Sequence, residues 1–338
     1  MYSAPTVTRP IVLLGTGHAL PGHTVSSATL DTQLKHPVGT IERLSGVRQR
    51  HFACEYDTAA ALGAQAAHRA LDAACVSLAD IDCLVAASGT MDQGMPSNAA
   101  LIHRELGLSA YGIPAFDINA SCLSFLVALD TLSWPLMAGR YRNVLIVAAD
   151  LASCGLNWNT LESSAIFGDG AAAAVITQTP EGKSSRLLAA NFKTLSDGAD
   201  LCYLPAGGSR YHPSRTTEPF MDLTTFRMNG KGIFKLTAQH LPDFVDHTLS
   251  QAGIGRQELD WIVPHQGSLL AITHMSRRLG FPSEKVINIF PEHGNQVAAS
   301  LPTALDIAIR DGRIQRGQRV LLLGTGAGLS LGATVLEY

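Results

Sequence analysis

Hydrophobic positions fall into two alternating patterns along the chain. Short apolar runs rich in β-branched residues are typical of buried strands, and longer segments with an apolar residue every three to four positions are typical of helices. Strands that alternate with helices in this way predict an α/β fold. The predicted strands are residues 11–15, 83–87, 115–118, 144–148, 171–177, 187–190, 261–263, 286–289, 320–323 and 333–337, and the predicted helices are 59–75, 99–106, 123–138, 232–252, 269–279 and 296–311.

The two halves of the sequence share a weak internal repeat. Residues 71–89 align without gaps with residues 249–267, and both segments read as the end of a helix, a turn and a strand. A Gly-Arg pair that precedes a later strand recurs in the same order. Because such a repeat indicates duplication, we predict two α/β halves, residues 1–180 and 181–338, divided where the sequence turns polar.

The composition describes a globular protein with a sizeable core and narrows the range of partners. Apolar residues make up 46% of the 338 residues and charged residues 16%, which leaves ample apolar surface to bury. A net charge of −3 argues against binding nucleic acid through bulk electrostatics. No apolar run reaches the ~20 residues of a membrane span, and the N-terminal segment lacks the pattern of a signal peptide. We therefore expect a cytoplasmic protein.

The six cysteines indicate neither a disulfide framework nor a zinc site. They form no CxxC pair and no Cys/His cluster with metal-ligand spacing. A chain of this size with a large core does not depend on disulfides. We therefore expect reduced and mostly buried thiols, and no metal site is predicted.

Three polar residues lie at predicted strand-to-helix turns. Cys122 stands at or just before the start of a helix, where unpaired N–H groups and the helix dipole favour the reactive thiolate. His265 directly follows a strand, and Asn295 lies between a strand and a helix. Each also has an interpretation without a catalytic role: Cys122 as a small buried hydrophobic residue, His265 as a histidine in a turn, and Asn295 as a helix N-cap. Such turns converge on one edge of a sheet, however, where ligands gather in α/β folds.

A glycine-rich segment near the C-terminus, residues 324–328, superficially resembles a dinucleotide-binding loop. The residues after it read as a strand, so the helix that a dinucleotide site requires is missing. The run Gly15-Thr16-Gly17 lacks the third glycine of that motif. A glycine turn that directs backbone N–H groups into a cleft is the better interpretation, and such groups could form an oxyanion hole.

Five short motifs occur in a fixed order along the chain: Ala120-Ser121-Cys122, Phe167-Gly168-Asp169-Gly170-Ala171, Pro264-His265-Gln266, His293-Gly294-Asn295 followed by Ala298-Ala299-Ser300-Leu301-Pro302, and Gly326-Ala327-Gly328-Leu329. In order and spacing, from about Gly15 to the C-terminus, the sequence resembles β-ketoacyl-acyl-carrier-protein synthase III. The resemblance implies a thiolase fold, in which two duplicated α/β halves form five layers (αβαβα). It also implies a homodimer.

The same resemblance implies a catalytic triad of Cys122, His265 and Asn295. Cys122 would attack an acyl thioester, and the backbone N–H groups of Cys122 and Ala327 would hold the oxyanion. His265 and Asn295 would then bind the carbonyl oxygen of a malonyl- or β-ketoacyl-type thioester and stabilise the enolate left by loss of CO2. The acyl group would be carried as a pantetheine thioester, without a metal or organic cofactor, in fatty-acid or specialised lipid or polyketide biosynthesis.

Basic residues occur where the family meets its acidic acyl carrier protein. They are Lys231, Lys235, Arg277 and Arg278, although a solvated basic face explains the same charges equally well. Met95 stands where the family inserts a Phe across the dimer interface into the partner's acyl pocket. A flexible Met at that position suggests an acyl channel of different shape.

Several residues depart from the family's coenzyme A site. Thr40 and Leu44 replace the Trp and Arg that sandwich adenine, and Leu161 replaces a further Arg. Ser268 replaces the Asn that helps to hold the pantetheine arm. These losses weaken the case for acetyl-coenzyme A as the donor. The sequence therefore favours an acyl group delivered by a carrier protein or as a longer thioester, with acyl-coenzyme A left open.

Other functions share the fold and stay open at this point. One is a head-to-head or ring-forming condensing enzyme of the long-chain ketone, alkylresorcinol or quinolone type, and another is an acyltransferase to an alcohol or amine. A non-catalytic partner subunit is disfavoured because the triad is intact. A degradative thiolase would need a second Cys near the C-terminal glycine turn, and no Cys follows Cys202.

Overall fold

A computed structural model describes residues 7–338, which alternate strands and helices as the hydrophobic pattern predicts. The strands are β1 (Ile11–Ala19), β2 (His23–Ser26), β3 (Gln49–Phe52), β4 (Cys83–Ala86), β5 (Ala115–Asp117), β6 (Asn143–Asp150), β7 (Gly170–Gln178), β8 (Arg186–Thr194), β9 (Cys202–Tyr203), β10 (Arg227–Met228), β11 (Trp261–Pro264), β12 (Arg319–Gly326) and β13 (Ser330–Glu337). The α-helices are α1 (Ser27–Gln33), α2 (Thr40–Ser45), α3 (Ala59–Ala74), α4 (Asn98–Glu105), α5 (Ser124–Met137), α6 (Leu161–Ser164), α7 (Phe220–Leu223), α8 (Gly230–Ala252), α9 (Leu269–Leu279), α10 (Phe290–His293) and α11 (Ser300–Arg310).

Two sheets with matching strand arrangements form the core. The first has the order β1-β7-β6-β4-β5 and the second the order β8-β13-β12-β11. In the first, β4 runs parallel to β5 and β6, and β7 runs antiparallel to β6 and β1. In the second, β11 is parallel to β12, and β13 is antiparallel to β12 and β8. The two sheets therefore repeat one topology.

The strand predicted at 286–289 is wrong, because only one bridge forms there. Val286 pairs with Ile262 of β11 as an isolated parallel bridge. Beyond it, the side chain of Gln266 donates to the carbonyl oxygen of Ile287 at 3.2 Å and accepts the N–H of Ile289 at 2.9 Å. A side-chain amide thus satisfies the backbone groups that a neighbouring strand would otherwise pair.

Helices lie on the outer face of each sheet and between the sheets. α3 and α4 pack on the first sheet, α8 packs on the second, with α9 against α8, and α5 and α11 contact both sheets. The result is the five-layered αβαβα arrangement that the resemblance implies. The central layer is strongly apolar, since Leu129 of α5 and Leu305 of α11 are buried in one cluster with residues of both sheets. No helix within residues 7–338 has the length and apolarity that a membrane span requires.

The segment between β1 and α3 contains elements that the hydrophobic pattern does not predict. β2 pairs antiparallel with β3, and α1 and α2 lie between them. Each element is between 4 and 7 residues long, which is too short for a period to emerge. A local cap starts α1, since the side chain of Ser26 accepts the N–H of Thr29 at 3.0 Å.

The expectation of mostly buried thiols is wrong. Cys83 is buried in β4, whereas Cys54, Cys75 and Cys154 are exposed. Cys75 ends α3 in the left-handed conformation, with φ of 54°. The helix stops at the surface, so this side chain does not reach the core.

The close packing of β1 against α3 leads to a prediction about the stability of a Gly17 variant. A Cβ at Gly17 would lie 2.5 Å from the backbone nitrogen of Ala70, which cannot move aside without displacing the helix. Gly17→Ala should therefore lower the free energy of unfolding by ~1–3 kcal/mol, measured by urea denaturation. Gly22→Ala is the matched control, because a Cβ there meets nothing within 4 Å. Equal stability of the two variants would contradict this account of the contact.

Candidate active site

Cys122 lies in a tight turn between β5 and α5. Ser121 adopts a left-handed conformation, with φ of 53°, which is uncommon for a residue with a side chain. The hydroxyl of Ser124 accepts the N–H of Ala120 at 2.9 Å and donates to the carbonyl oxygen of Ser121 at 2.6 Å. The first residue of α5 therefore closes the turn that presents Cys122.

The Cys122 thiol is partly buried and lies against two backbone donors. Burial, reinforced by nearby Cys202 and Asp150, raises the pKa of the thiol above its usual range, while the N–H groups of Cys122 and Ala327 bond to the sulfur and lower it. Burial outweighs these donors. The expectation that the helix start favours the thiolate is therefore wrong here. The N–H groups of Cys122 and Ala327 nevertheless both point at this sulfur, which is the arrangement that an oxyanion hole requires.

His265 leaves β11 beside the Cys122 turn. Its N–H donates to the carbonyl oxygen of Leu323 at 2.7 Å, which extends the pairing of β11 with β12. A Cβ at Gly324 would lie 3.1 Å from the Cβ of His265 and 3.0 Å from Cδ2 of Leu123. The absence of a side chain at Gly324 thus lets His265 and the Cys122 turn approach each other from opposite sides.

The imidazole of His265 is neutral at physiological pH. Burial lowers its pKa to about 4, because the charged form loses its hydration. Nδ1 is buried without a hydrogen-bond partner among residues 7–338. A neutral ring carries one N–H, so it can donate one hydrogen bond to an oxygen in the site.

Asn295 is fixed so that its amide nitrogen faces the His265 segment. Its Oδ1 accepts the N–H of Val297 at 2.9 Å and the hydroxyl of Ser300 at 3.3 Å. Nδ2 lies 3.5 Å from the carbonyl oxygen of Gly267. A Cβ at Gly267 would lie 3.3 Å from Cδ2 of the His265 ring, so Gly267 touches both side chains. The structure thus brings the three candidate residues into one neighbourhood.

The motif at residues 167–171 supports the Asn295 loop. The N–H of Asn295 donates to the carbonyl oxygen of Ile166 at 2.7 Å. In turn, the N–H of Gly168 donates to the carbonyl oxygen of Asn295 at 3.1 Å. A Cβ at Gly168 would collide with the carbonyl oxygen of His293, and one at Gly170 with the Gln296 side chain. Gly168 is needed because two backbones pass at contact distance, and Gly170 leaves room for the Gln296 side chain.

Asp150 lies close enough to influence the Cys122 thiol. It was not identified from the sequence as a site residue. It is fully buried at the end of β6 and accepts the N–H groups of Gly89, Thr90 and Ala299 at 2.8, 2.7 and 3.2 Å. Burial raises its pKa to about 6, although these donors oppose the shift. A signal was present, since an Asp that ends an otherwise apolar strand must find buried partners.

The remaining predicted residues lie away from this cluster. Lys231, Lys235, Arg277 and Arg278 are exposed on α8 and α9, and Met95 is 87% exposed. The described side chains of residues 7–338 form no group of three or more His, Cys, Asp or Glu suited to a metal ion.

Comparisons with known proteins identify the family to which this fold belongs. Residues 116–196 match the family described as 3-oxoacyl-[acyl-carrier-protein] synthase III, and residues 249–338 match its C-terminal part. Beta-ketoacyl-[acyl-carrier-protein] synthase III of Neisseria meningitidis serogroup B is 36% identical over 326 residues, 96% of this chain and 98% of the relative. The enzyme of that name from Bordetella petrii is 38% identical over 330 residues, 96% of this chain and 97% of the relative.

A solved structure leads to the same family. 3-Oxoacyl-(acyl carrier protein) synthase III from Pseudomonas aeruginosa PAO1 superposes with a TM-score of 0.86 at 30% identity and covers 98% of each chain. The fold and these matches therefore define a thiolase-fold condensing enzyme that transfers acyl groups. The chain belongs to the β-ketoacyl-[acyl-carrier-protein] synthase III family.

Asp150 makes a prediction about the pH dependence of stability. The pKa of Asp150 is about 6 in the folded protein and 3.8 in the unfolded chain. Its contribution to the free energy of unfolding is therefore fully present below pH 3.8 and is lost as the pH rises through 6. The free energy of unfolding of the wild type, minus that of Asp150→Asn, should therefore fall by ~2–3 kcal/mol between about pH 4 and pH 7.

Urea denaturation across this pH range measures that difference. The matched control is Asp243→Asn, on the exposed face of α8, for which the difference from the wild type should stay nearly constant. A difference for Asp150→Asn that is constant or rises with pH would show that folding does not raise the pKa of Asp150.

Proposed function

We propose that Cys122, His265 and Asn295 are the catalytic triad of this condensing enzyme, and that it performs a decarboxylative Claisen condensation. The observation that supports the assignment is the placement of one thiol against two backbone N–H groups, beside a neutral imidazole and a fixed amide. Cys122 follows β5 and His265 follows β11, as the sequence predicts, whereas Asn295 follows the short helix α10.

The first step is acyl transfer to Cys122. The sulfur attacks the thioester carbonyl, and the N–H groups of Cys122 and Ala327 hold the oxygen as it becomes negative. Because burial disfavours a free thiolate, the thiol proton leaves as the C–S bond forms and ends on the sulfur of the departing pantetheine thiol. The products are an acyl-Cys122 thioester and a free thiol.

The second step is carbon–carbon bond formation. The thioester carbonyl of a malonyl-type substrate accepts hydrogen bonds from His265 and Nδ2 of Asn295. Loss of CO2 leaves an enolate, whose oxygen these two donors stabilise. Its carbon attacks the acyl-Cys122 carbonyl, which gives a β-ketoacyl thioester and releases Cys122 as a thiolate. This thiolate takes up a proton from solvent to restore the thiol. The carboxylate supplies the carbanion by leaving as CO2, so the step is expected to need no metal or organic cofactor.

The acyl donor is proposed to be a carrier-protein thioester. Thr40 and Ser268 use their hydroxyls within the protein: Thr40 donates to the carbonyl oxygen of Pro37 at 2.6 Å, and Ser268 caps α9 by accepting the N–H of Ala271 at 3.1 Å. Leu44 is an exposed aliphatic side chain. None of these residues supplies an aromatic plane or a cation for the adenine of coenzyme A.

A homodimer and a two-half organisation are also proposed. β5 ends its sheet, and Phe116 on this short strand is exposed. An apolar residue on a free sheet edge favours pairing with a second copy. Met95, at the position that the family uses across the dimer interface, is exposed as well. The division at residues 1–180 and 181–338 falls in the turn between β7 and β8, and each side carries one sheet of the same order. A cytoplasmic location stays a prediction.

Loss of the Cys122 sulfur should abolish acylation. After incubation with acyl-carrier-protein and acyl-coenzyme A thioesters, intact-protein mass spectrometry should show one acyl group on the wild type, faster from the carrier protein, and none on Cys122→Ala. Cys202→Ala is the control, because its thiol lies close enough to influence Cys122, and it should still acylate. Acylation of Cys122→Ala would refute the nucleophile.

Loss of either enolate donor should separate the two steps. His265→Ala and Asn295→Ala should still self-acylate, while release of CO2 from a malonyl thioester falls by about 10²–10³-fold per donor. Because the pKa of His265 is about 4, the wild-type rate should show no histidine titration between about pH 5.5 and 8. Normal CO2 release by either variant would exclude the proposed second step.

A further inference from the structure

A second thiol lies beside the nucleophile. After burial, Cys202 is the largest influence that raises the pKa of the Cys122 thiol, so the two sulfurs lie within range of each other's charge. Burial raises the pKa of Cys202 to about 11, and both thiols are therefore protonated at neutral pH. Each cysteine is only partly buried, which leaves a small solute access to the sulfurs. The catalytic steps proposed above use only one of them.

The segment that leads to Cys202 is fastened beside the oxyanion loop. Leu329, two residues after the N–H donor of that loop, exchanges both backbone hydrogen bonds with Leu195, at 2.7 and 3.2 Å. From Leu195 a short 3₁₀ helix, Ser196–Leu201, leads directly into Cys202. The backbone therefore brings Cys202 to the side of the site on which the N–H donor meets the Cys122 sulfur.

Close packing holds this connection, whereas Cys202 itself is held by few bonds. A Cβ at Gly198, within the 3₁₀ helix, would lie 2.8 Å from the Cβ of Leu329, so the two segments touch. Cys202 begins β9, a strand of two residues in a two-stranded sheet with β10. A disulfide requires Cα atoms about 4.4–6.8 Å apart. So short a strand can shift toward that spacing at small cost, because few backbone hydrogen bonds depend on its position.

We propose that Cys122 and Cys202 form a reversible disulfide when the protein meets a peroxide, and that this bond stops acylation while it protects the nucleophile. Formation of the bond depends on the two thiols alone, whereas the loss of acylation rests on the proposed function. A sulfur held in a disulfide is not free to attack a thioester, and a thiol reductant returns it to the reactive form.

The peroxide supplies the oxidising equivalents. One thiol takes an oxygen atom from hydrogen peroxide, which leaves as water, and becomes a sulfenic acid. The sulfur of the other thiol then displaces the hydroxyl group, which departs with the proton of that thiol as a second water, and the S–S bond forms. The two thiols lose two electrons and the peroxide gains them. Without a neighbouring thiol, the sulfenic acid is open to further oxidation to a sulfinic acid, which thiol reductants do not reverse.

Peptide mass spectrometry detects the bond directly. The full-length protein is reduced, freed of reductant, treated with hydrogen peroxide, blocked with N-ethylmaleimide and digested with trypsin. Residues 105–140 form the tryptic peptide that contains Cys122, and residues 194–210 form the one that contains Cys202. The wild type should yield these two peptides joined and lighter than their sum by two hydrogen atoms, and dithiothreitol should separate them.

Cys202→Ala tests whether the second thiol protects the first. While reduced, this variant should accept an acyl group from the acyl carrier protein like the wild type. After peroxide and then dithiothreitol, the wild type should regain its acylation, whereas Cys202→Ala should regain about tenfold less, because its Cys122 has passed beyond the sulfenic acid. Cys54→Ala removes an exposed thiol and is the matched control, which should recover like the wild type.

Three results would overturn the disulfide. One is the absence of the joined peptides from the peroxide-treated wild type, and another is Cys122 joined to a cysteine other than Cys202. The third is equal recovery of the wild type and Cys202→Ala. If the joined peptides form but the reduced wild type accepts no acyl group, the proposed function fails and the disulfide stands.

Discussion

The contact between β12 and the Cys122 turn sets the geometry on which the site depends. A Cβ at Gly326 would lie 3.2 Å from the carbonyl oxygen of Ala120, and one at Gly324 would press on Leu123. Any side chain at either position would push the turn away from β12. The N–H of Ala327, which directly follows β12, would then lose its contact with the Cys122 sulfur. One sheet supplies the nucleophile and the other supplies the second oxyanion donor, so their separation must be fixed closely.

The same close packing determines the protonation states of the site. Exclusion of water raises the pKa of the Cys122 thiol, lowers that of His265 to about 4 and raises that of Asp150 to about 6. Each shift disfavours the charged form. A dry site makes a free thiolate costly, and it also strengthens every hydrogen bond that a neutral donor makes to a developing oxyanion. Burial therefore makes the Cys122 thiol harder to ionise, and it also makes the hydrogen bonds to the oxyanion that forms during the reaction stronger.

The sequence predicts elements well where local signals agree. α9 spans Leu269–Leu279 as predicted, because Ser268 caps its start and Gly280 ends it in a left-handed conformation. The turns that carry Cys122 and His265 were likewise visible, because each places one polar residue after a strand. The failures have a different cause. Residues 286–289 are apolar like a strand, but Gln266 takes the backbone bonds of the segment. Asp150 depends on the N–H of Ala299, which is far away in the sequence, and no local pattern reports such a partner.

The end of α2, which carries altered coenzyme A residues, adjoins the start of α9. α2 ends at Gly46, where a Cβ would lie 2.6 Å from Cδ2 of Leu269, the first residue of α9. The end of α2, with exposed Leu44, therefore meets the start of α9, with exposed Leu270. A rim that recognised a nucleotide would need a ring and cations at this junction. At this junction Leu44 and Leu270 present aliphatic side chains beside the exposed cation of Arg43. Further exposed cations lie on α8 and α9. Such a distribution suits a donor that is recognised through a protein surface, because the apolar residues nearest the site can be buried by a partner and the cations beyond them can orient it.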